Sequence, residues 1–286
     1  MPTLTIRPLQ RAEMAVALDW AAAEGWNPGH HDAAPFHAAD PQGFLLGLLH
    51  DEPVALISAV RYGTDSGFIG FYIVKPRWRG QGHGWALWQA ALARLAGRNV
   101  GLDGVLAQQA NYLKSGFKLA WRNIRYQGHG GAVDEPPALG SRERIVPLAS
   151  LPFQALADYD RAFFPAERSG FLRSWIAQPQ TQGLGIVRDQ CLIGYGVVRP
   201  CRTGYKIGPL FAATPNGAEA LFTALCAQVP ADAPVFLDVP ELHADAVALA
   251  ERHRLRPLFE TARMYTGPVP DIALPRTYGI TSFELG

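Results

Sequence analysis

With 286 residues, the chain is long for one hydrophobic core and sufficient for two of about 140 residues each. Its 26 Lys and Arg against 25 Asp and Glu give a net charge of +1 without a long run of either sign, so charge selects neither nucleic acid nor an anionic membrane as a partner. No apolar run reaches spanning length and Met1–Arg7 has no basic stretch followed by an apolar one, so a cytoplasmic protein is expected. Cys191, Cys201 and Cys226 lie far apart without a C-x-x-C pair and are expected as reduced thiols. His30, His31 and His37 lack a second motif to complete a coordination set, so no metal is expected.

Thr3–Arg7 alternates as a first strand, and Pro8–Ala23, rich in Ala with Met14, Leu18 and Trp20 for packing, follows as a helix. Glu24–Asp32 then gathers turn formers with an aromatic residue, two acids and two histidines, a composition that suits a functional loop as well as a plain surface turn. Gly43–Leu49 and Val54–Tyr62 are predicted as a hairpin around His50-Asp51-Glu52-Pro53. An apolar strand, Phe68–Val74, leads through the basic turn Lys75–Arg79 into Gly80-Gln81-Gly82-His83-Gly84 and a helix whose apolar stripe is Trp85, Leu87, Trp88, Ala91, Leu92 and Leu95.

A strand, a glycine-rich turn and a helix start form an anion site. The first helical turn has backbone N–H groups without intrahelical partners and partial positive charge from the dipole, and Arg77 and Arg79 add fixed charge. A P-loop would need Lys then Ser or Thr after the last glycine, where this chain has Trp85. A dinucleotide fingerprint would need its third glycine one residue later and its first directly after the strand, although Asp103 stands near the expected distance of roughly 20 residues. Asn99–Val105 reads as a short strand, followed by a helix through Tyr112 and a strand over Phe117–Tyr126.

Gly and Pro then dominate, and residues 129–142 are predicted as a linker between domains 1–128 and 143–286. The second half repeats the first. A shift of 138 places Val60-Arg61 over Val198-Arg199, Ile69-Gly70 over Ile207-Gly208 and Ala86-Leu87 over Ala224-Leu225, which argues for duplication. In that register Arg79, Gly82 and Gly84 fall on Gly217, Ala220 and Phe222, so the second copy has lost the anion site.

Arg79-Gly80-Gln81-Gly82-His83-Gly84, as R-x-x-G-x-G after a strand, resembles the acyl-CoA pyrophosphate loop of the GNAT N-acetyltransferases, and Asn111–Phe117 is similar to the family's later Y-x-x-x-G-F segment. The resemblance implies an α/β (α+β) fold of two tandem GNAT-like domains, each a mixed, mostly antiparallel sheet flanked by helices. It implies transfer of acetyl from acetyl-CoA to an amine of a small-molecule acceptor. The cofactor would be held by Ile73, Val74, Arg79, Gly80, Gln81, Gly82, His83, Gly84, Asn111 and Tyr112, with backbone near Ile73 and Val74 on the pantetheine and thioester oxygen. Tyr112 would protonate the leaving thiolate. The family often has Asn where this chain has Val105, and often an acid on the central strand, where this chain has Phe71 and Tyr72. Glu24 and Asp103 are then the candidate bases, and Glu24, Trp26, Asn27, Asp32 and Tyr72 the candidate acceptor residues, since the segment after the first helix helps form the acceptor pocket in that fold.

The second half is expected to bind no acyl-CoA, to brace the first and to wall its acceptor pocket, with Asp238, Arg263 and Tyr265 as polar groups in strand-like stretches. A fragment ending near Gly131 is then expected, if it folds, to bind CoA as the whole chain does. A non-catalytic acyl-CoA sensor or scaffold is the alternative function.

Overall fold

The structure, a computed structural model, describes residues 4–131 and 137–286. The first half runs β1 (Thr5–Pro8), α1 (Met14–Ala23), α2 (Ala33–Ala39), β2 (Phe44–Leu49), β3 (Glu52–Tyr62), β4 (Ser66–Val74), α3 (His83–Arg94), β5 (Asn99–Val105), α4 (Gln109–Lys114) and β6 (Lys118–His129). The second runs β7 (Glu143–Pro147), α5 (Phe153–Asp160), α6 (Ser169–Ile176), β8 (Gln182–Arg188), β9 (Cys191–Pro200), β10 (Tyr205–Ala212), α7 (Pro215–Cys226), β11 (Pro234–Pro240), α8 (Ala244–Arg252), β12 (Arg256–Tyr265) and β13 (Thr277–Gly279). The duplication extends to turn chemistry. His50-Asp51 and Asp189-Gln190 both hold positive φ, which two-residue hairpin turns between twisted strands require.

The offset of 138 holds for β3 against β9, β4 against β10 and β6 against β12, and it breaks at the anion loop. Eight residues, Lys75–Gly82, separate β4 from α3, but only Ala213-Thr214 separate β10 from α7. The sequence alignment of Arg79, Gly82 and Gly84 with Gly217, Ala220 and Phe222 is therefore corrected. Those three residues lie inside α7, and the loop is missing from the second copy rather than substituted. Thr214 takes the N-cap place of Gly82, and its hydroxyl accepts from Gly217 N at 3.1 Å.

The strands join in one sheet of order β1-β2-β3-β4-β5-β12-β6-β11-β10-β9-β8-β7, with β13 paired to β10. From either end, five strands of one half are followed by the last long strand of the other half and then by their own. The two halves have thus exchanged β6 and β12. The fold class is the one expected, but the sheets are fused. The predicted linker begins inside a strand, since His129, the end of β6, pairs with Pro234; residues 132–136 lie outside the described residues. On one face, α1, α2, α5 and α6 close a core shared by both halves, where Phe36 of the first stacks on Trp175 of the second and meets Phe71 edge-on. The other face carries one core under α3 for the first half and one under α7 and α8 for the second. Among the described residues no helix is long and apolar enough to cross a membrane.

Candidate active site

The site arises where β4 and β5 part. They pair in parallel only over Ser66–Ile69 against Asn99–Leu102, after which β5 follows β12 and the edge of β4 from Gly70 to Val74 is left open on that side. Phe71, at φ 48, forms a bulge there, and the pairing of β4 with β3 shifts register at this point. A bulky residue in the left-handed region costs about 1–3 kcal/mol, and such strain collects at functional sites. The gap opens into a cleft of ≈ 610 Å³. Ile73, Val74, Arg79, Gly80, Gly82 and Gly84 line it, together with Trp26, Tyr72 and Tyr112.

At the loop end, Gly80 and Gly82 adopt φ 75 and 85, the left-handed conformation that favours glycine, and no side chain caps α3. Its first amides are free to meet an anion. Gly84 serves a different purpose: a Cβ there would lie 2.7 Å from Tyr72 Oη and 3.0 Å from Val74 Cγ2, so its absence lets α3 press onto β4. Arg79 donates from Nε to Val74 O at 2.8 Å and from Nη2 to Glu24. Arg77 pairs with Glu52, while Gln81 donates to Arg77 O at 2.9 Å. Gln81 and His83 are not among the cleft-lining residues.

Tyr112, on α4, is buried against Trp88 with ring centroids 5.6 Å apart, and Trp88 meets Tyr72 at 5.4 Å. Its ring occupies space left by Gly104 of β5, where a Cβ would stand 2.2 Å from Tyr112 Cε2. Burial, then the neighbouring Tyr72, push the Tyr112 phenol up to about 12; burial raises Tyr72 as well.

Several residues expected at the site do other work. Asp103 borders the cleft, but its side chain is fully buried: Oδ1 accepts from Asn123 Nδ2 at 2.8 Å and Arg263 Nε at 2.9 Å, and Oδ2 from Arg263 Nη2 at 2.6 Å. With both oxygens taken it is a strut between β5 and β12, not a free base. Glu24 lines the cleft beside the loop, its carboxylate held by Arg79. Asp32 lies outside the cleft, buried against Arg199 (Oδ1 to Nε 2.8 Å) and accepting from Gly29 N. Burial would raise its carboxyl, but the Arg199 guanidinium outweighs this and holds it below the usual range. Asn27 bonds the backbone of Thr203 through both ends of its amide, and Asn111 is exposed and donates to Gln108. Arg263 and Asp238, expected as polar pocket wall, are instead buried in ion pairs with Asp103 and Arg125, and Tyr265 Oη accepts from Arg263 Nη1 at 3.3 Å.

The second half does wall the cleft, through Phe259, Thr261, Phe283 and Glu284. Nothing local in the sequence marks these four, because the strand exchange and the last segment of the chain bring them there. The matching gap in the second half is closed. β13 pairs with β10 at Leu210 and Phe211, and Pro209, which stands 138 residues after Phe71, offers no N–H. Among the described residues no group of His, Cys, Asp and Glu is placed to hold a metal.

Sequence profiles and relatives put this architecture among the acyltransferases. The profile of the acetyltransferase (GNAT) family matches residues 11–117, and that of an acetyltransferase (GNAT) domain residues 156–279. Over 285 residues the chain is 32% identical to holothin acyltransferase of Pseudoalteromonas sp. (strain SANK 73390), covering 99% of this chain and 95% of that one. The chain therefore belongs to the GNAT acetyltransferase family, carries the family's domain twice in tandem, and is an acyltransferase. A putative acetyltransferase from Pyrococcus horikoshii shares the fold with a TM-score of 0.81 at 23% identity, over 99% of this chain and 96% of that one. A tandem GNAT protein from the clavulanic acid biosynthesis pathway shares it at 0.66 and 17% identity, over 93% of this chain and all of that one (100%).

Proposed function

We propose that the enzyme transfers an acetyl group from acetyl-CoA to an amine of a small-molecule acceptor, using one site in the first half. The diphosphate sits on the amides of Gly80–Gly84 and on Arg79, the pantetheine arm runs along the open edge of β4 at Ile73 and Val74, and Tyr112 protonates the departing thiolate. The observation that carries this is the continuity of the cleft from the uncapped start of α3, along the unpaired edge of β4, to Tyr112. Oriented amides in a partly dry cleft stabilise the charge that develops on the thioester oxygen. Holding thioester and amine together removes the entropic cost of a bimolecular encounter. The amine is proposed because the named relative is a holothin acyltransferase and because aromatic residues, Trp26, Phe259 and Phe283, line the cleft together with the carboxylate residue Glu284.

The test is release of CoA thiol from acetyl-CoA by the whole protein, with and without a panel of primary amines, together with a CoA titration. Amine-dependent release and one CoA per chain are expected. Hydrolysis indifferent to every amine, or two equivalent CoA sites, would overturn the proposal.

A further inference from the structure

We propose that Glu284 is the carboxylate that receives the acceptor's amine in this cleft and takes its proton during acyl transfer. The assignment rests on the acyl-transfer function above. Residues 280–286 leave β13 and cross from the second half into the first, buried along their whole length. They are pinned at several points: Ile280 N donates to Asp238 O at 2.9 Å, Leu285 N to Ser282 Oγ at 3.2 Å, Tyr62 Oη to Leu285 O at 3.2 Å and Arg168 Nη1 to Gly286 O at 3.4 Å. Gly70, the residue before the β4 bulge, is shaped to this segment, since a Cβ there would stand 2.1 Å from Glu284 O. The backbone of Glu284 is thus fixed against the strand that opens the cleft, and the residue lines that cleft.

Its carboxylate is unlike the others nearby. Glu284 is 4% exposed, and its Oε2 is buried without a hydrogen-bond partner. Leaving a charged oxygen unpaired inside a protein is expensive. The cations around it, Arg125 on β6, Arg199 on β9 and Lys206 on β10, are close enough to act on it electrostatically; each donates elsewhere, though Arg199 Nη1 is, like Glu284 Oε2, buried without a partner. Arg125 is bound to Asp238 and Trp26 O, Arg199 to Asp32, and Lys206 to Asn27 O at 3.1 Å. Counted with Asp32 and Asp238, Glu284 makes this group three cations and three anions. None of these three cations donates to Oε2. Of the other acids lining the cleft, Glu24 is held by Arg79 and Asp103 by Arg263 and Asn123. A donor supplied by a ligand would complete Glu284. Trp26, Phe71, Phe259 and Phe283 line the same cleft, and among the described residues its one lining cation, Arg79, belongs to the diphosphate end. The acceptor fitted is an apolar-bodied primary amine without a carboxylate.

In the step itself the amine nitrogen attacks the thioester carbon, the C–N bond forms and the C–S bond breaks. The nitrogen's proton passes to Glu284, the thiolate takes the Tyr112 proton, and exchange with water returns both residues to their starting states.

The experiment measures amine-dependent CoA release against pH with acetyl-CoA and apolar primary amines headed by 2-phenylethylamine, for wild type, Glu284→Gln and Glu284→Asp. For Glu284→Gln, kcat/KM for the amine should fall about 10²-fold and lose its acidic limb, with CoA affinity unchanged. Glu284→Asp keeps the charge but withdraws the carboxylate, so it should keep the wild-type thermal midpoint and lose at least tenfold in rate. A Glu284→Gln enzyme with wild-type rate and pH profile overturns the assignment. So does a Glu284→Asp enzyme with full activity beside a Glu284→Gln enzyme that has lost stability and CoA binding together, since that is a counter-charge role. A wild type that releases CoA with polar or anionic primary amines but with none of the apolar ones overturns the assignment alone, whereas one that releases it with no amine of either kind overturns the proposed amine acetylation, and this assignment with it.

Discussion

At Tyr112, burial acts in one direction. A phenol pushed up to about 12 holds its proton at neutral pH, which excludes it as a base and leaves it present as a donor, while the same burial makes it a weaker acid. Tyr112→Phe keeps the ring against Trp88 and in the space left by Gly104 while removing the proton. Turnover should fall about 10²-fold with CoA affinity almost unchanged, measured by single-turnover kinetics beside calorimetry. Unchanged single-turnover rates would leave Tyr112 a packing residue. The acids teach a different lesson about reading residues singly. Asp32 and Asp103 look like free carboxylates in their own stretches, yet each is closed by an arginine, Arg199 or Arg263, about 160 residues away in sequence. A signal was present in the partners. Arg125, Arg199 and Arg263 stand inside strands, where a buried charge survives only with a partner, but which acid each meets depends on the exchanged β6 and β12 for Arg125 and Arg263 and on the packing of the two halves for Arg199.

Among the elements, the loop between β4 and α3 was legible because everything it needs is contiguous: the end of the strand, the glycines with positive φ and the uncapped helix. Its counterpart was not, because a missing six-residue stretch is invisible to an alignment at constant offset. The open edge of β4 was legible only in part, since the parting of β4 and β5 depends on where β12 inserts. Gly82→Asp tests this element. Nothing lies within 4 Å of where its Cβ would stand, so the substitution meets no steric block, and Asp in the left-handed region costs about 1 kcal/mol. Its carboxylate would face the same amides as a diphosphate. CoA affinity should drop at least tenfold, about 1.4 kcal/mol, with the circular dichroism of the native fold retained. Equal affinities by titration calorimetry would remove the loop from the cofactor site.

On the scale of the whole molecule, duplication was legible from the recurring offset, but the fusion of the two sheets was not, because hydrophobic pattern marks strands without naming their neighbours. That difference reverses one expectation. A fragment ending near Gly131 retains the loop, yet β5 and β6 both lose β12, and β6 also loses β11. Exposed edges of this kind recruit other chains. The fragment should elute as a dimer or aggregate and should not bind CoA as a monomer, which light scattering with calorimetry would show. A folded monomer with the affinity of the whole chain would mean that β12 is dispensable. The exchange also sets a schedule for biogenesis. As the chain leaves the ribosome, the first half waits with a gap beside β5 until residues 256–265 emerge, and the cleft lacks Phe283 and Glu284 until still later. Folding of the first half is thereby coupled to synthesis of the last, and a nascent chain that stalls before residue 283 has an anion loop but no finished cleft.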